Sequence, residues 1–297
     1  MNARNNGSHS RRQRSKCSLS LKIARNAPIA VLLRRGPTGW VQMIRWDLRT
    51  DSFTEGQWFK GRIYAELSNL SPDGELLLYS ARKTNAWTLF RADGVGDTWT
   101  AISRPPYFTA LGLWPNGCWD GGGLFIELRS VKLGLPFPKA QNSFTQDRLK
   151  VTGTQEHIHQ PLSLQIALQE GWQPLNQSLE NLNHYHWQLN THLGKEIGQG
   201  AVRITRSVRQ GKHWKLHKRF TVSNVHNQWD LGEVDLVDFD TRGRLILSTD
   251  GRLMVCDSPT EPELRWRELA NFAHNKPQPL PPPDWAKEWP PVSNREE

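Results

Sequence analysis

Four histidines have a spacing that could suit metal ligands. His157 and His159 lie two residues apart, and so do His184 and His186. Each pair would share one strand face if both segments form strands. Neutral imidazoles are good ligands for zinc or iron. Polar strand faces explain the same spacing, and we favour that interpretation, so we expect neither a metal nor a cofactor.

An aromatic cluster beside three consecutive glycines is the candidate ligand site. Glycine lets a backbone approach a ligand closely, and an aromatic ring can form a stacking wall. The glycines lack the strand-to-helix context of a phosphate loop, so nucleotide binding is not indicated. We favour a turn between strands with tryptophans in the core as the explanation of this segment. If a ligand groove exists, the candidate residues are Arg104, Tyr107, Trp114, Trp119 and Gly122.

A basic segment is the candidate nucleic-acid contact. Residues 197–229 contain seven Lys and Arg and no acid, and residues 1–46 contain ten more bases without an acid. Such charges can contact phosphates in a salt-dependent way. A solvated outer strand whose charges discourage edge pairing explains them equally well, and we favour it. The candidate phosphate contacts are Arg206, Lys212, Lys215 and Lys218.

The net charge of +9 does not describe the whole surface. Outside the two basic segments the chain has more acids than bases. No run of apolar residues approaches the length of a transmembrane helix, so we expect no membrane insertion. Three cysteines without paired spacing indicate neither a disulfide framework nor a zinc knuckle. These features favour a cytoplasmic monomer.

The sequence contains no recognisable catalytic motif. It has neither a Gly-x-Ser-x-Gly elbow nor a His-Glu-x-x-His helix. Paired carboxylates can hydrolyse glycosides, but acids near turns more often bond the turn backbone. We therefore assign no catalytic residue and favour a protein that is not an enzyme. The carboxylates considered for such a pair are Asp235, Asp238, Asp240 and Asp250.

Repeated β-hairpins must position all of these residues. In the first, an apolar strand at 29–33 and a turn at 36–39 lead to Trp40. A weaker copy has a predicted strand at 162–168 before its tryptophan. Successive tryptophans of the series are 47, 85 and 42 residues apart along the chain. The series consists of Trp40, Trp87, Trp172 and Trp214.

A glycine in a later turn follows three of these tryptophans at a similar distance. The offsets are 34, 30 and 29 residues, from Trp40 to Gly74, from Trp87 to Gly117 and from Trp214 to Gly243. Repeats of about 40–45 residues with several short strands each are typical of β-propellers. We therefore predict an all-β protein that forms a single β-propeller of five or six blades.

The stretch 40–81 is the clearest copy of the repeat. A strand ending in Arg45-Trp46-Asp47-Leu48 and a polar turn precede Ser71-Pro72-Asp73-Gly74, which leads into an apolar strand. This pattern resembles the repeats of TolB-type and WD40-like β-propellers, over about three blades or half of the chain. The chain lacks the Gly-His opening and the regular Trp-Asp closing pair of a standard WD40 repeat. The resemblance implies that 40–81 is most of one blade, and it implies no partner or activity.

Composition divides the chain into three parts. Residues 1–25 should be a disordered basic leader, because too little apolar surface can be buried there. Residues 26–272 form the predicted propeller, with a long connection or insertion at 129–160. Residues 273–297 form a Pro/Trp-rich tail that packs on the propeller. In this tail Asp284 should cap one helical turn, with Trp285 and Trp289 buried.

The expected function is non-catalytic binding or scaffolding through a protein partner. Propellers present rigid loops around a central channel, which suits recognition. One alternative is a nucleic-acid-associated protein that uses the leader and the basic hairpin at 203–219. Another alternative is a propeller hydrolase with an unrecognised site.

Overall fold

A computed structural model describes most of the chain. The described residues are 17–37, 39–84, 96–116, 121–136, 148–154, 161–175, 190–210 and 216–291. These residues form five separate β-sheets, with one α-helix and a short 3-10 turn. The prediction of an all-β protein is confirmed.

The first two sheets are antiparallel meanders in chain order. Sheet I contains β1 (Ser18–Ile23), β2 (Ile29–Arg35), β3 (Trp40–Asp47) and β4 (Ser52–Lys60). Sheet II contains β5 (Arg62–Leu70), β6 (Leu77–Arg82), β7 (Thr98–Ser103) and β8 (Ala110–Pro115). The predicted hairpin with Trp40 after its turn is the β2–β3 pair.

The other three sheets are also formed from strands that follow one another along the chain. Sheet III contains β9 (Gly123–Glu127), β10 (Ser130–Pro136) and β11 (Lys150–Thr154), and β10 and β11 are parallel. Sheet IV contains β12 (Gln173–Pro174), β13 (Asn190–Ile197), β14 (Val202–Gln210), β15 (Leu216–Asn224) and β16 (Gln228–Gly232). Sheet V contains β17 (Leu236–Phe239), β18 (Leu245–Thr249), β19 (Arg252–Cys256) and β20 (Arg267–Asn271).

The strands pack on neighbouring sheets through both of their faces. In β2, Val31 and Leu33 enter the core between sheets I and II, whereas Leu32 enters the core between sheets I and V. In β6, Leu77 packs towards sheet I and Leu78 packs towards sheet III. Because successive side chains of a strand point to opposite faces, an apolar run in the sequence supplies two cores at once.

Sheet V also packs against sheet I, and a buried ion pair joins them. The Arg244 guanidinium donates to both carboxylate oxygens of Asp51, at 2.7 Å each, and to Asp240 Oδ2 at 2.7 Å. The Arg244 side chain is only 3% exposed. A second arginine, Arg34 of β2, donates through Nε to the carbonyl oxygen of Phe272 at 2.8 Å, just after β20.

A short helix lies between sheets III and IV. Helix α1 (Leu162–Gln169) covers the segment that we predicted to be a strand, so that prediction is wrong. Leu, Gln and Ala favour helix, and Pro161 precedes the first turn. The helix buries Leu162 and Ile166 against Leu124 of β9.

Two expected irregular segments contain strands. β1 lies within residues 1–25, where we expected a disordered leader, because Leu19, Leu21 and Ile23 alternate with polar residues and Leu19 is buried. β10 and β11 lie within 129–160, which we expected to be a connection. β10 pairs with both β9 and β11, whereas β11 pairs with β10 alone at the edge of the sheet.

The stretch 40–81 does not form one unit. It is divided between sheets I and II, because β4 ends at Lys60 and β5 begins at Arg62. The turn 71–74 does have the expected geometry: Gly74 has φ +77° and donates its N–H to the Ser71 carbonyl oxygen at 2.9 Å. The sequence repeat therefore runs across the boundary between two sheets.

The tail contains one 3-10 turn at Asp284–Lys287, as expected. Asp284 does not cap it, because Pro283 is the capping residue and has no side chain that can cap the turn. Trp289 is half-buried beside the core between sheets II and III. Trp285 is 45% exposed, so the prediction that it is buried is wrong.

Substitution of Asp51 tests the contact between the last and first sheets. Asp51→Asn keeps the side-chain shape but leaves Arg244 with one fewer charged partner. Removing one partner of a buried ion pair costs about 3–5 kcal/mol, and we expect about 3 kcal/mol because Asp240 remains. Chemical unfolding at pH 7 measures this loss.

The stability difference between wild type and Asp51→Asn should depend on pH. Hydrogen bonds from Arg244 lower the pKa of Asp51, so the pair stabilises the fold above the unfolded-state pKa. This stabilisation is lost as the pH falls below ~4, and the difference between wild type and Asp51→Asn should shrink there. Asp230→Asn, which affects an exposed pair with Arg219, serves as the control and should change little. Equal effects of the two substitutions would contradict the prediction.

Candidate functional site

Arg104, Tyr107 and Trp285 form a cluster at the protein surface. Arg104 Nη1 donates to the Trp285 carbonyl oxygen at 2.8 Å, and its guanidinium carbon lies 4.8 Å from the centre of the Trp285 ring. The Tyr107 ring meets the Trp285 ring edge to face, with centroids 5.3 Å apart. Glu75 balances the charge of Arg104 at 3.3 Å. We call Arg104, Tyr107 and Trp285 the surface cluster.

The other candidates for a ligand groove do not join this cluster. Trp114 is fully buried in the core between sheets II and III. Gly122 has φ +98°, and a Cβ there would lie 2.2 Å from the carbonyl oxygen of Leu67. Gly122 therefore serves close backbone packing. Trp119 lies outside the described residues.

A second candidate site is a cavity of about 100 Å³ where four of the sheets and the helix meet. We call it the inter-sheet cavity. β1, β5, β17, helix α1 and the β14–β15 hairpin all contribute to it. Its wall carries seven ionisable side chains and one indole, from Lys22, Glu66, Glu170, Trp172, Arg206, Lys218, Asp235 and Asp238.

The basic hairpin divides its charges between two faces of sheet IV. Arg206 pairs with Phe220 across the β14–β15 ladder, and Val208 pairs with Lys218, so these four residues share one face. This is the face that lines the cavity. Arg203 lies on the opposite face and forms an ion pair with Glu196 at 2.9 Å.

The placement of this hairpin corrects our interpretation of a solvated outer strand. β14 lies between β13 and β15, and β15 lies between β14 and β16. Its charges therefore do not protect a free sheet edge. The other two candidate phosphate contacts, Lys212 and Lys215, lie outside the described residues.

Ion pairs occupy some of the charges around the cavity. Lys22 Nζ donates to Glu170 Oε1 at 2.7 Å, and Lys195 Nζ donates to Asp238 Oδ1 at 2.6 Å. The guanidinium carbon of Arg206 lies 4.4 Å from the centre of the Trp172 ring. This contact holds the guanidinium by a cation–π interaction.

Desolvation dominates the electrostatics of the two cations on the cavity face of sheet IV. Burial lowers the pKa of Arg206. Desolvation also lowers the pKa of Lys218, and the nearby charge of Arg206 lowers it further. The Lys218 side chain is nevertheless exposed to water over part of its length. The charges of Glu170 and Asp238 attract Arg206, and those of Glu66 and Asp235 attract Lys218, without a direct hydrogen bond to either cation.

Asp235 is the most perturbed carboxyl at the cavity. Desolvation raises its pKa to about 6, although the backbone N–H of Leu19 donates to it and partly offsets this effect. Its Oδ2 atom is buried without a hydrogen-bond partner among the described residues.

Two of the remaining carboxylates from the sequence analysis have separate structural partners, whereas the backbone N–H of Asp250 donates to Asp235. Asp238 pairs with Lys195. Asp240 Oδ1 accepts the backbone N–H groups of Arg242 and Arg244 at 2.9 Å, which stabilises its turn. Asp250 lies in a turn with φ +52°.

The histidine pairs cannot be placed in this structure. His157, His159, His184 and His186 all lie outside the described residues. Among the residues that are described, no group of three or more His, Cys, Asp or Glu could hold a metal ion. Within the same residues, no helix has the length and apolar character needed to cross a membrane.

Sequence reasoning missed most of the cavity residues. Lys22, Glu66 and Glu170 are ordinary charged residues in the sequence, and only the packing of distant strands brings them together. One signal was present at Arg206, because it follows Val202 and Ile204 at alternate positions of the same strand. A charge on an apolar strand face is a cue for a buried polar site.

Comparisons with known proteins assign no family to the chain. No protein-family model matches it, and the curated proteins give no significant match. A solved structure of an uncharacterised Listeria monocytogenes protein aligns with 11% identity and a TM-score of 0.33. That alignment covers 89% of this chain and 86% of the other.

Two further solved structures align at similar levels. The acylaminoacyl peptidase of Pyrococcus horikoshii has 12% identity and a TM-score of 0.31, over 86% of this chain and 45% of the peptidase, so the match spans less than half of that enzyme. The hydrazine synthase of Kuenenia stuttgartiensis has 9% identity and a TM-score of 0.27, over 85% and 80%. TM-scores this low support no argument about this chain. Of the predicted resemblance to TolB-type and WD40-like propellers, only the β-rich fold is supported.

Substitution of Asp235 tests the desolvation at the cavity. A carboxyl with a raised folded-state pKa destabilises the fold as it ionises, so stability should fall as the pH rises from ~4 to about 6. Asp235→Asn removes this ionisation. The variant should equal wild type near pH 4 and exceed it at pH 7, by about 1.4 kcal/mol for each unit of pKa shift.

Urea unfolding of both proteins across this pH range measures the difference. Asp238→Asn is the matched control, since it breaks the pair with Lys195 and should lower stability at pH 7. An Asp235→Asn variant that is less stable than wild type at pH 7 would contradict the assignment.

Proposed function

We propose that this chain is a non-catalytic binding protein built on a single five-bladed β-propeller. The five sheets follow one another along the chain, and strands in several of them bury both faces against neighbouring sheets. Sheet V packs on sheet I, as closure of a ring requires. Blades that stack in this way bury their apolar faces without a free sheet face. A monomeric state and a cytoplasmic location are part of the same proposal.

The surface cluster is the observation that supports the proposal of partner binding. Trp, Tyr and Arg are the residue types that dominate binding energy at protein interfaces. Trp285 leaves 45% of its surface exposed, although Arg104 holds its backbone and its ring. A ring that is fixed before binding loses little conformational entropy on association. The cluster therefore supplies a preorganised anchor for a protein partner.

Nucleic-acid binding has less support from the same contacts. Arg203 and Arg219 are paired with acids on the outward face of sheet IV. Arg206 and Lys218 line the inter-sheet cavity. Cations that are neutralised or turned inward contribute little to contacts with a phosphate backbone.

Site-specific photo-crosslinking tests the proposed partner site. A photoreactive amino acid at position 285 should crosslink to a discrete protein in extract of the native cell. Position 225 is the matched control, because Val225 is 75% exposed and lies in the β15–β16 turn. The proposal predicts an adduct at 285 that is lost on Arg104→Ala and not formed at 225. No adduct at 285, or the same adducts at both positions, would contradict it.

A further inference from the structure

The inter-sheet cavity holds two cations without an acidic side chain bonded to them. Within the described part of the chain, neither Arg206 nor Lys218 forms an ion pair, and Arg206 Nε is a buried donor without an acceptor. An unsatisfied buried donor destabilises the fold, and it does so more strongly when it is charged. A native fold that keeps such a group has either a functional reason or a bound acceptor.

Two of the nearby acids already have other partners. Glu170 accepts from Lys22 at 2.7 Å, and Asp238 accepts from Lys195 at 2.6 Å. Asp235 accepts a backbone N–H from Leu19. Glu66 and Asp235 attract Lys218 through space, and the repulsion from Arg206 is larger than the attraction of either acid alone. The protein thus brings two cations together without neutralising them directly.

The register of sheet IV places both cations on one face. Arg206 and Lys218 lie on neighbouring strands of the same face, diagonally across the β14–β15 ladder. Side chains in diagonal positions of that kind lie within reach of one common ligand when they are long. Trp172 lies 4.4 Å under the guanidinium and limits its movement. The Arg206 guanidinium is therefore held in place before any ligand arrives.

We propose that the inter-sheet cavity binds a small oxyanion, a carboxylate or a phosphate, whose oxygens accept hydrogen bonds from Arg206 and Lys218. Charge-assisted hydrogen bonds of this type are roughly twice as strong as neutral ones. The volume of about 100 Å³ suits a small group, since a cavity of ~150 Å³ holds benzene. This site lies apart from the surface cluster and does not depend on partner binding there.

Binding of inorganic phosphate and of acetate to the full-length protein tests the proposal. Calorimetric titration should show saturable binding of one equivalent of at least one of them, with sodium chloride as the ionic-strength control. Binding of phosphate alone assigns a phosphate site, and binding of acetate assigns a carboxylate site. The absence of saturable binding by both anions would overturn the proposal.

Variants locate the anion in the cavity. Lys218→Met should weaken binding at least tenfold, whereas Lys218→Arg should retain it. Without anion, Lys218→Met should melt at or above the wild-type temperature, because it removes the repulsion between Lys218 and Arg206. Arg219→Met is the matched control, since the adjacent side chain lies on the opposite face and pairs with Asp230. Equal binding by wild type and Lys218→Met would overturn the proposal.

Discussion

The buried ion pair between Arg244 and Asp51 is the contact on which the arrangement of the sheets depends. It joins the turn after β3 in sheet I to the start of β18 in sheet V, the first and last sheets of the chain. Its two parallel hydrogen bonds fix distance and orientation together. Apolar contacts between these sheets supply the burial energy, at about 25 cal/mol per Å², but they are less specific in register. The ion pair defines one way for the two sheets to meet.

The same constraint explains why so many strands are apolar on both faces. Trp46 and Leu32 of sheet I are buried in one core with Ile246 and Leu253 of sheet V. Loss of that contact would expose apolar surface on this face of sheet I. It would also disturb the inter-sheet cavity, because β1 and β17 form neighbouring parts of its wall. The fold and the candidate anion site thus depend on one interface.

The local parts of this fold could be predicted from the sequence, and the non-local parts could not. The β2–β3 hairpin and the turn at Gly74 follow from alternation and from turn chemistry, which act within a few residues. β1 was missed because basic residues around it hid a clear alternation of Leu and Ile. The cavity was missed because Lys22 and Arg206 are 184 positions apart along the printed sequence, and no local pattern joins them. Helix α1 shows that eight apolar-rich residues do not distinguish helix from strand.

Native-state hydrogen exchange tests most directly whether the five sheets form one closed body. If the sheets form one closed body, slow amides of β2 in sheet I and of β18 in sheet V should open in one step. They should have the same opening free energy and the same dependence on denaturant, equal to those of global unfolding. Opening of β18 at a clearly lower free energy, while β2 stays protected, would contradict closure between the last and first sheets.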